Sequence, residues 1–185
     1  MTSVLKVDNI QNSSGTSALT IDGNGQVSMP NTVEIDSWRL PADFVTNGAD
    51  VTGWERNDDA TFSYAGTGMT ESSGVFTFPK TGLYKVTGEF EVSNSNTDAA
   101  ATLNIMVSSD SGSTYDQRGY AVVRGTAADT DGAGGISRTV LVNVTDASTF
   151  RYKVTTASFG SGTALKGNTN YDRTSLMFER IADSQ

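Results

Sequence analysis

Two carboxylate pairs are the clearest candidates for acid–base chemistry in this chain: Glu89 with Glu91, and Asp58 with Asp59. A glycosidase works with two such groups flanking the bond it cleaves, one protonated and one ionised. Glu89 and Glu91 alternate along a strand pattern, which puts both on one face together with Lys85. That is the pattern of a solvated, charge-balanced face, and Asp58-Asp59 falls at a turn. The chain has neither histidine nor cysteine. Ser-His-Asp and Cys-His nucleophiles, thiolate chemistry and the commonest transition-metal ligand are thereby excluded. Asp129-Thr-Asp131-Gly132 could offer oxygen ligands to calcium from a tight turn, although it lacks the later ligands of an EF-hand. Asp129 and Asp131 are thus the candidate cation ligands, a flexible acidic loop being the plainer account, and no other cofactor is expected. No glycine-rich loop leads into a helix as phosphate binding would need. The expectation is a protein that is not an enzyme.

The elements that would position such groups are strands. Only 36% of the 185 residues are hydrophobic, glycine occurs 19 times, and helix formers are sparse. This length allows one good-sized domain, or a domain with an arm. A net charge of -8 with no basic cluster argues against nucleic acid. No segment approaches the roughly 20 apolar residues of a membrane helix, and Met1 to Asp8 has neither the basic start nor the apolar run of a signal peptide. The expectation is a chain made in a cytoplasm, with no membrane insertion.

The strongest periodic pattern lies at Gly74 to Val92. Tyr84, Val86, Gly88, Phe90 and Val92 alternate with Lys85, Thr87, Glu89 and Glu91, and Pro79 and Gly82 bracket a reversal before them. The pattern predicts a short strand, a turn and a long strand in a hairpin-like unit. Further strands are expected at Val51–Trp54, Thr61–Ala65, Thr102–Ser108 with Leu103, Ile105 and Val107 inward, and Tyr115–Arg124 with Tyr120 and Val122 inward. Beyond these, Ile136–Val144, Phe150–Val154 and Ser175–Ile181 complete the series, the last with both faces dry. About eight to ten short strands and no helix predict a two-sheet β-sandwich of jelly-roll type over residues 50–182. Residues 36–49 form a connector carrying Trp38, Leu40 and Phe44, as a plug or as core. Residues 1–35 alternate short strands and turns, including an Asp22-Gly23 hairpin signal. Three such strands cannot bury a core, so this extended β-arm must dock through Leu5, Val7, Ile10, Leu19, Ile21 and Val27.

The run Phe76-Thr-Phe-Pro79-Lys-Thr-Gly82-Leu-Tyr84 resembles the central motif of the C1q/TNF-like jelly roll, and Val140 to Tyr152 and Thr174 to Phe178 resemble its later strands. The closing strand departs from C1q itself in lacking Phe-x-Gly. The resemblance covers residues 50–182 and implies a homotrimer. Its aromatic residues, Trp38, Phe76, Phe78, Tyr84, Phe90, Tyr152 and Phe178, would pack in the core or along the trimer. Some members bind calcium at the apex. The arm, with Leu5-Lys-Val-Asp-Asn-Ile10 and Leu19-Thr-Ile-Asp-Gly-Asn-Gly25, resembles the N-terminal pieces of phage tail-fibre and other virion surface proteins.

Together these resemblances imply a homotrimeric virion structural protein on the capsid or tail surface: a capsid decoration protein, a head fibre or a short tail fibre. Its arm would engage a major capsid or tail protein. Its head would face outward for stabilisation or adhesion to a host-surface glycan, through the polar loops at 94–99, 110–114, 126–135 and 159–171. The alternatives are a secreted C1q-like lectin or ligand-binding module and, less favoured by the missing histidine, a glycan depolymerase.

Overall fold

The computed structural model describes residues 7–28, 33–57, 60–94, 100–124 and 133–185. They belong to two compact units, Met1–Val33 and Glu34–Gln185. Among the described residues there are fourteen strands and no helix. The chain is all-β, as its composition and alternation predict.

In the first unit, β1 (Asn9–Gln11), β2 (Ser17–Ile21) and β3 (Val27–Ser28) form one antiparallel sheet in that order. Its turns are fixed by side chains that imitate backbone acceptors. Asn12 Oδ1 accepts from the N–H groups of Ser14 and Thr16, and Asp22 Oδ1 from those of Asn24 and Gln26.

The second unit is a sandwich of two sheets. One has the order β10 (Asp116–Val123), β9 (Ala101–Ser108), β12 (Arg151–Ala157), β7 (Val75–Thr77) and β6 (Thr70–Ser72). The other has the order β11 (Ala133–Val144), β8 (Gly82–Ser93), β14 (Ser175–Ala182), β4 (Ile35–Arg39) and β5 (Glu55–Arg56), with β13 (Ala164–Leu165) also paired to β8. The alternation of β8 is the organising feature. Tyr84, Val86, Phe90 and Val92 are buried, and β11 pairs with the whole strand from Gly82 to Ser93.

Several local expectations change in this setting. The stretch around Pro79 is not a hairpin: β7 and β8 lie in different sheets, so the Pro79–Gly82 turn carries the chain across the sandwich. Residues 36–49 are not only a connector. Ile35–Arg39 is a strand paired with β14, and Trp38 and Leu40 belong to the core. Thr61–Ala65 and Val51–Trp54 form no strands. Ala65 makes a single bridge to Ile35, while Val51 and Trp54 are buried from irregular backbone. In β10 the inward residues are Ala121 and Val123, not Tyr120 and Val122. A bulge between Gln117 and Gly119 shifts the phase by one residue, which exchanges the two faces.

All seven aromatic residues predicted for the core or the trimer are buried within the protomer. Phe76 lies at the centre, edge-on to Trp38 at 5.4 Å and tilted on Phe178 at 5.1 Å, and Tyr152 meets Phe178 edge-on at 5.3 Å. Such edge-to-face pairs add about 0.5–1.5 kcal/mol each beyond the burial itself. Tyr152 is one of the buried side chains with an unsatisfied polar atom, as are Asn57 and Asn94 at their Oδ1 atoms. The Tyr152 hydroxyl has no hydrogen-bond partner among the described residues, and burial pushes its ionisation far above the usual tyrosine range. An unpaired buried hydroxyl costs about 1–3 kcal/mol. Tyr152→Phe is therefore expected to stabilise the protein by about 1 kcal/mol, read as a higher urea midpoint; a loss of that size would show that the hydroxyl is satisfied.

Candidate functional site

The outward face of the β11-β8-β14-β4 sheet carries exposed apolar side chains. Period two places Lys85, Thr87, Glu89 and Glu91 of β8 on it. The register brings Leu141, Thr139 and Ser137 of β11 alongside, with Glu179, Met177 and Ser175 of β14 on the other flank and Ile35 and Ser37 of β4 beyond. The middle row runs Thr139, Thr87, Met177, Ser37, with the two threonine hydroxyls 3.0 Å apart. Around it Leu141 is 60% exposed, Met177 42% and Ile35 39%. β14 is central in its sheet, but its outward side is open in the protomer rather than dry.

Two of the carboxylates on this face, Glu179 and Glu91, are ion-paired within the protomer. Lys85 Nζ lies 2.7 Å from Glu179 Oε2. Glu89 accepts from Ser137 Oγ at 2.7 Å. Glu91 takes both ends of the Arg173 guanidinium, and this hydrogen bonding, against the opposing pull of burial, holds its carboxyl below the ordinary range. A general acid needs the opposite shift. The predicted Glu89/Glu91 pair is thus built as two separate anchors on the sheet. Asp58, Asp59, Asp129 and Asp131 lie outside the described residues, as do Leu5 and most of the loops at 94–99 and 126–135. Among the described residues no group of three acidic side chains is arranged to hold a metal ion.

The described loops are more built than their polar composition implies. At 110–114, Asp110 accepts from the Thr114 N–H at 2.9 Å, the Thr114 hydroxyl and the Ser108 hydroxyl. These bonds, the Thr114 N–H first, lower its pKa to about 2. The segment 159–171 is not an open loop: it contains β13, and Phe159, Thr163, Ala164 and Leu165 are buried.

Sequence reasoning missed one constellation altogether. Asp36, 2% exposed, points into the sandwich on the same side as Trp38. Its carboxylate accepts from Arg56 Nε and Nη2 at 2.9 Å each, from Trp38 Nε1 at 3.0 Å and from the Met69 N–H at 2.7 Å. Arg56 is stacked between Trp38 and Tyr64, 4.7 and 4.6 Å from their centroids. Nearby, the buried Glu34 accepts from the Thr67 and Gly68 N–H groups and pairs with Lys80. Buried carboxylates with this many donors are structural anchors. The available signal was the Asp36-Ser37-Trp38 spacing, which puts an acid beside a core tryptophan.

No family model matches the chain, and no curated protein matches it. Solved structures do resemble it. The Eiger TNF of S. frugiperda superimposes with a TM-score of 0.67 at 11% identity, over 84% of this chain and 96% of that one. Murine APRIL, in its pH 5.0 crystal structure, gives a TM-score of 0.56 at 10% identity, over 80% of this chain and 99% of that one. Its pH 8.5 structure gives 0.53 at 11% identity, with the same coverage. At such identities the likeness shows the fold, a TNF-like jelly roll.

Proposed function

We propose that the chain is a homotrimeric, non-catalytic surface appendage of a virion. It is a capsid decoration protein or head fibre, or a short tail fibre, attached through its N-terminal unit and presenting the jelly-roll head for stabilisation or for adhesion to a host-surface glycan. The observation that carries the trimer is the outward sheet face described above. Leu141, Met177 and Ile35 are left to solvent on a sheet whose other side is sealed by its own core. Apolar side chains exposed together on one sheet face support an interaction surface, and the pairing of Lys85 with Glu179 leaves no net charge at that point of the face. Tyr120, exposed on the edge strand β10, supplies a different surface on the same protomer. A contact between two different patches closes into a ring when the rotation permits, and the TNF-like fold supports a three-fold ring. The attachment role rests on the likeness of the first 35 residues to phage virion proteins. A second reading, a trimeric ligand module, is favoured by the fold itself.

Solution mass tests the trimer. The protein at micromolar concentration is expected at three times its 19.5 kDa chain mass. Met177→Glu would weaken association about 100-fold or more, because a carboxylate would be desolvated without a partner, while leaving the circular dichroism unchanged. A monomeric wild type would sink the trimer. Labelled antibody on intact particles tests location: binding to capsid or tail is expected, and absence from particles would leave the ligand-module reading.

A further inference from the structure

The first unit has an uncovered face of its own. Its register pairs Ile10 with Leu19 and Ile21 with Val27, and Asn9 with Thr20 and Thr20 with Ser28. Period two then places Ile10, Leu19, Ile21 and Val27 on one side of the sheet and Asn9, Thr20 and Ser28 on the other. Ile10 is 47% and Val27 58% exposed, and Leu19 and Ile21 are half-buried. The Asn12 and Asp22 turns hold this register, so the two sides do not exchange by slippage.

We propose that this apolar side is covered by the same side of the other copies in the trimer, so that three N-terminal units share one small core. The inference rests on the homotrimer of the preceding section. Two observations choose sister copies over a foreign partner. The first is area. From strand spacing and rise, one side of such a sheet spans roughly 240 Å², far below the ~800 Å² per partner of a stable independent interface. Only a tethered partner overcomes that shortfall, and units joined through a common head meet at effective concentrations of the order of millimolar. The second is charge. None of the four side chains is ionisable; Asp8 continues the alternation on this side, its carbonyl accepting from the Ile21 N–H, but it stands exposed at the end of the ladder, where its carboxylate stays at the rim. The centres of identical faces can therefore meet without like charges opposing one another, the Asp8 carboxylates staying at the rim. Attachment to a particle then falls to the Asn9/Thr20 side and the turns, not to Ile10, Leu19, Ile21 and Val27.

The chain has no cysteine, so single cysteines report directly. Leu19→Cys and Thr20→Cys, made in the full-length protein, put a thiol on opposite sides of the same strand. Packed sheets lie about 10 Å apart, within the span of a short bismaleimide. Leu19→Cys is expected to yield covalently linked chains in dilute solution at least ten times faster than Thr20→Cys, and Ile10→Cys, at an exposed position, repeats the measurement should Leu19→Cys fold poorly. Equal rates on the two sides, or no linkage from Leu19 and Ile10 in a protein of trimeric mass, would overturn the shared core. A protein of monomeric mass would instead remove the homotrimer on which it stands.

Discussion

Asp36→Ala is expected to lower stability by about 3–5 kcal/mol, the usual loss when one partner of a buried ion pair is removed. The carboxylate is the shared acceptor of three groups from separate parts of the fold: the Arg56 guanidinium, the Trp38 indole N–H and the Met69 backbone N–H. Alanine would leave the indole and the backbone donor unpaired in the interior, at about 1–3 kcal/mol each. It would also leave Arg56, held between two aromatic rings, without its counter-ion. Against a typical total of about 5–15 kcal/mol, that loss approaches the whole stability of a marginal domain. Asp116→Ala is the matched control. It breaks the exposed Asp116–Arg118 pair, for which about 0.5 kcal/mol or less is expected. Urea unfolding of both variants at one fixed protomer concentration separates the two cases, since unfolding of an oligomer depends on concentration. A loss below about 1 kcal/mol for Asp36→Ala would mean that water replaces the carboxylate and that the anchor is dispensable.

The two-sheet architecture was legible because β8, β9, β12 and the start of β14 alternate cleanly, and the burial of Tyr84, Leu103, Tyr152 and Phe178 follows that alternation. What failed depended on information that local patterns do not carry. Pro79 and Gly82 announce a reversal, but nothing near them says that β8 pairs with β11 and β14 rather than with β7. The bulge at Gln117/Gly119 inverted the expected faces of β10, because a single extra residue changes the parity of everything after it. β4 was overlooked because its alternation includes Asp36 where an apolar residue is expected, and the compensation for that acid comes from Arg56 and Met69, which are distant in sequence. The candidate interface was half legible: Ser175–Ile181 read as apolar on both faces, but the grouping of Met177 with Leu141 and Ile35 needs the β11-β8-β14-β4 order.

The same strand order makes Gly88 a position where a single methyl group should do damage inside the core. Gly88 sits in the middle of β8 on the inward face, between β11 and β14, paired with Arg138 and Leu176. A Cβ there would meet Phe90 Cζ at 2.4 Å, Phe90 Cε2 at 2.6 Å and Leu176 Cδ2 at 3.3 Å. The Phe90 ring has folded back over the space that a side chain would need, and it is itself 1% exposed, so it cannot swing away into solvent. Overpacking of this kind costs about 1–3 kcal/mol, and the upper end is expected for Gly88→Ala because the obstructing atoms belong to a rigid ring in a sealed core. Gly135→Ala on the neighbouring strand β11 meets nothing within 4 Å and is expected to change stability by about 0.5 kcal/mol or less. The comparison separates crowding from the general effect of replacing glycine in a strand, which by itself favours alanine through the unfolded chain. Adding Phe90→Leu to Gly88→Ala should recover part of the loss, giving a favourable coupling of about 1 kcal/mol or more between the two positions. Strictly additive losses would place the crowding elsewhere. If the crowding is at Phe90, the strain is relieved within the core, and β8 need not shift Thr87 on its outward face; the double variant should then retain the trimeric mass that the open face of this sheet predicts.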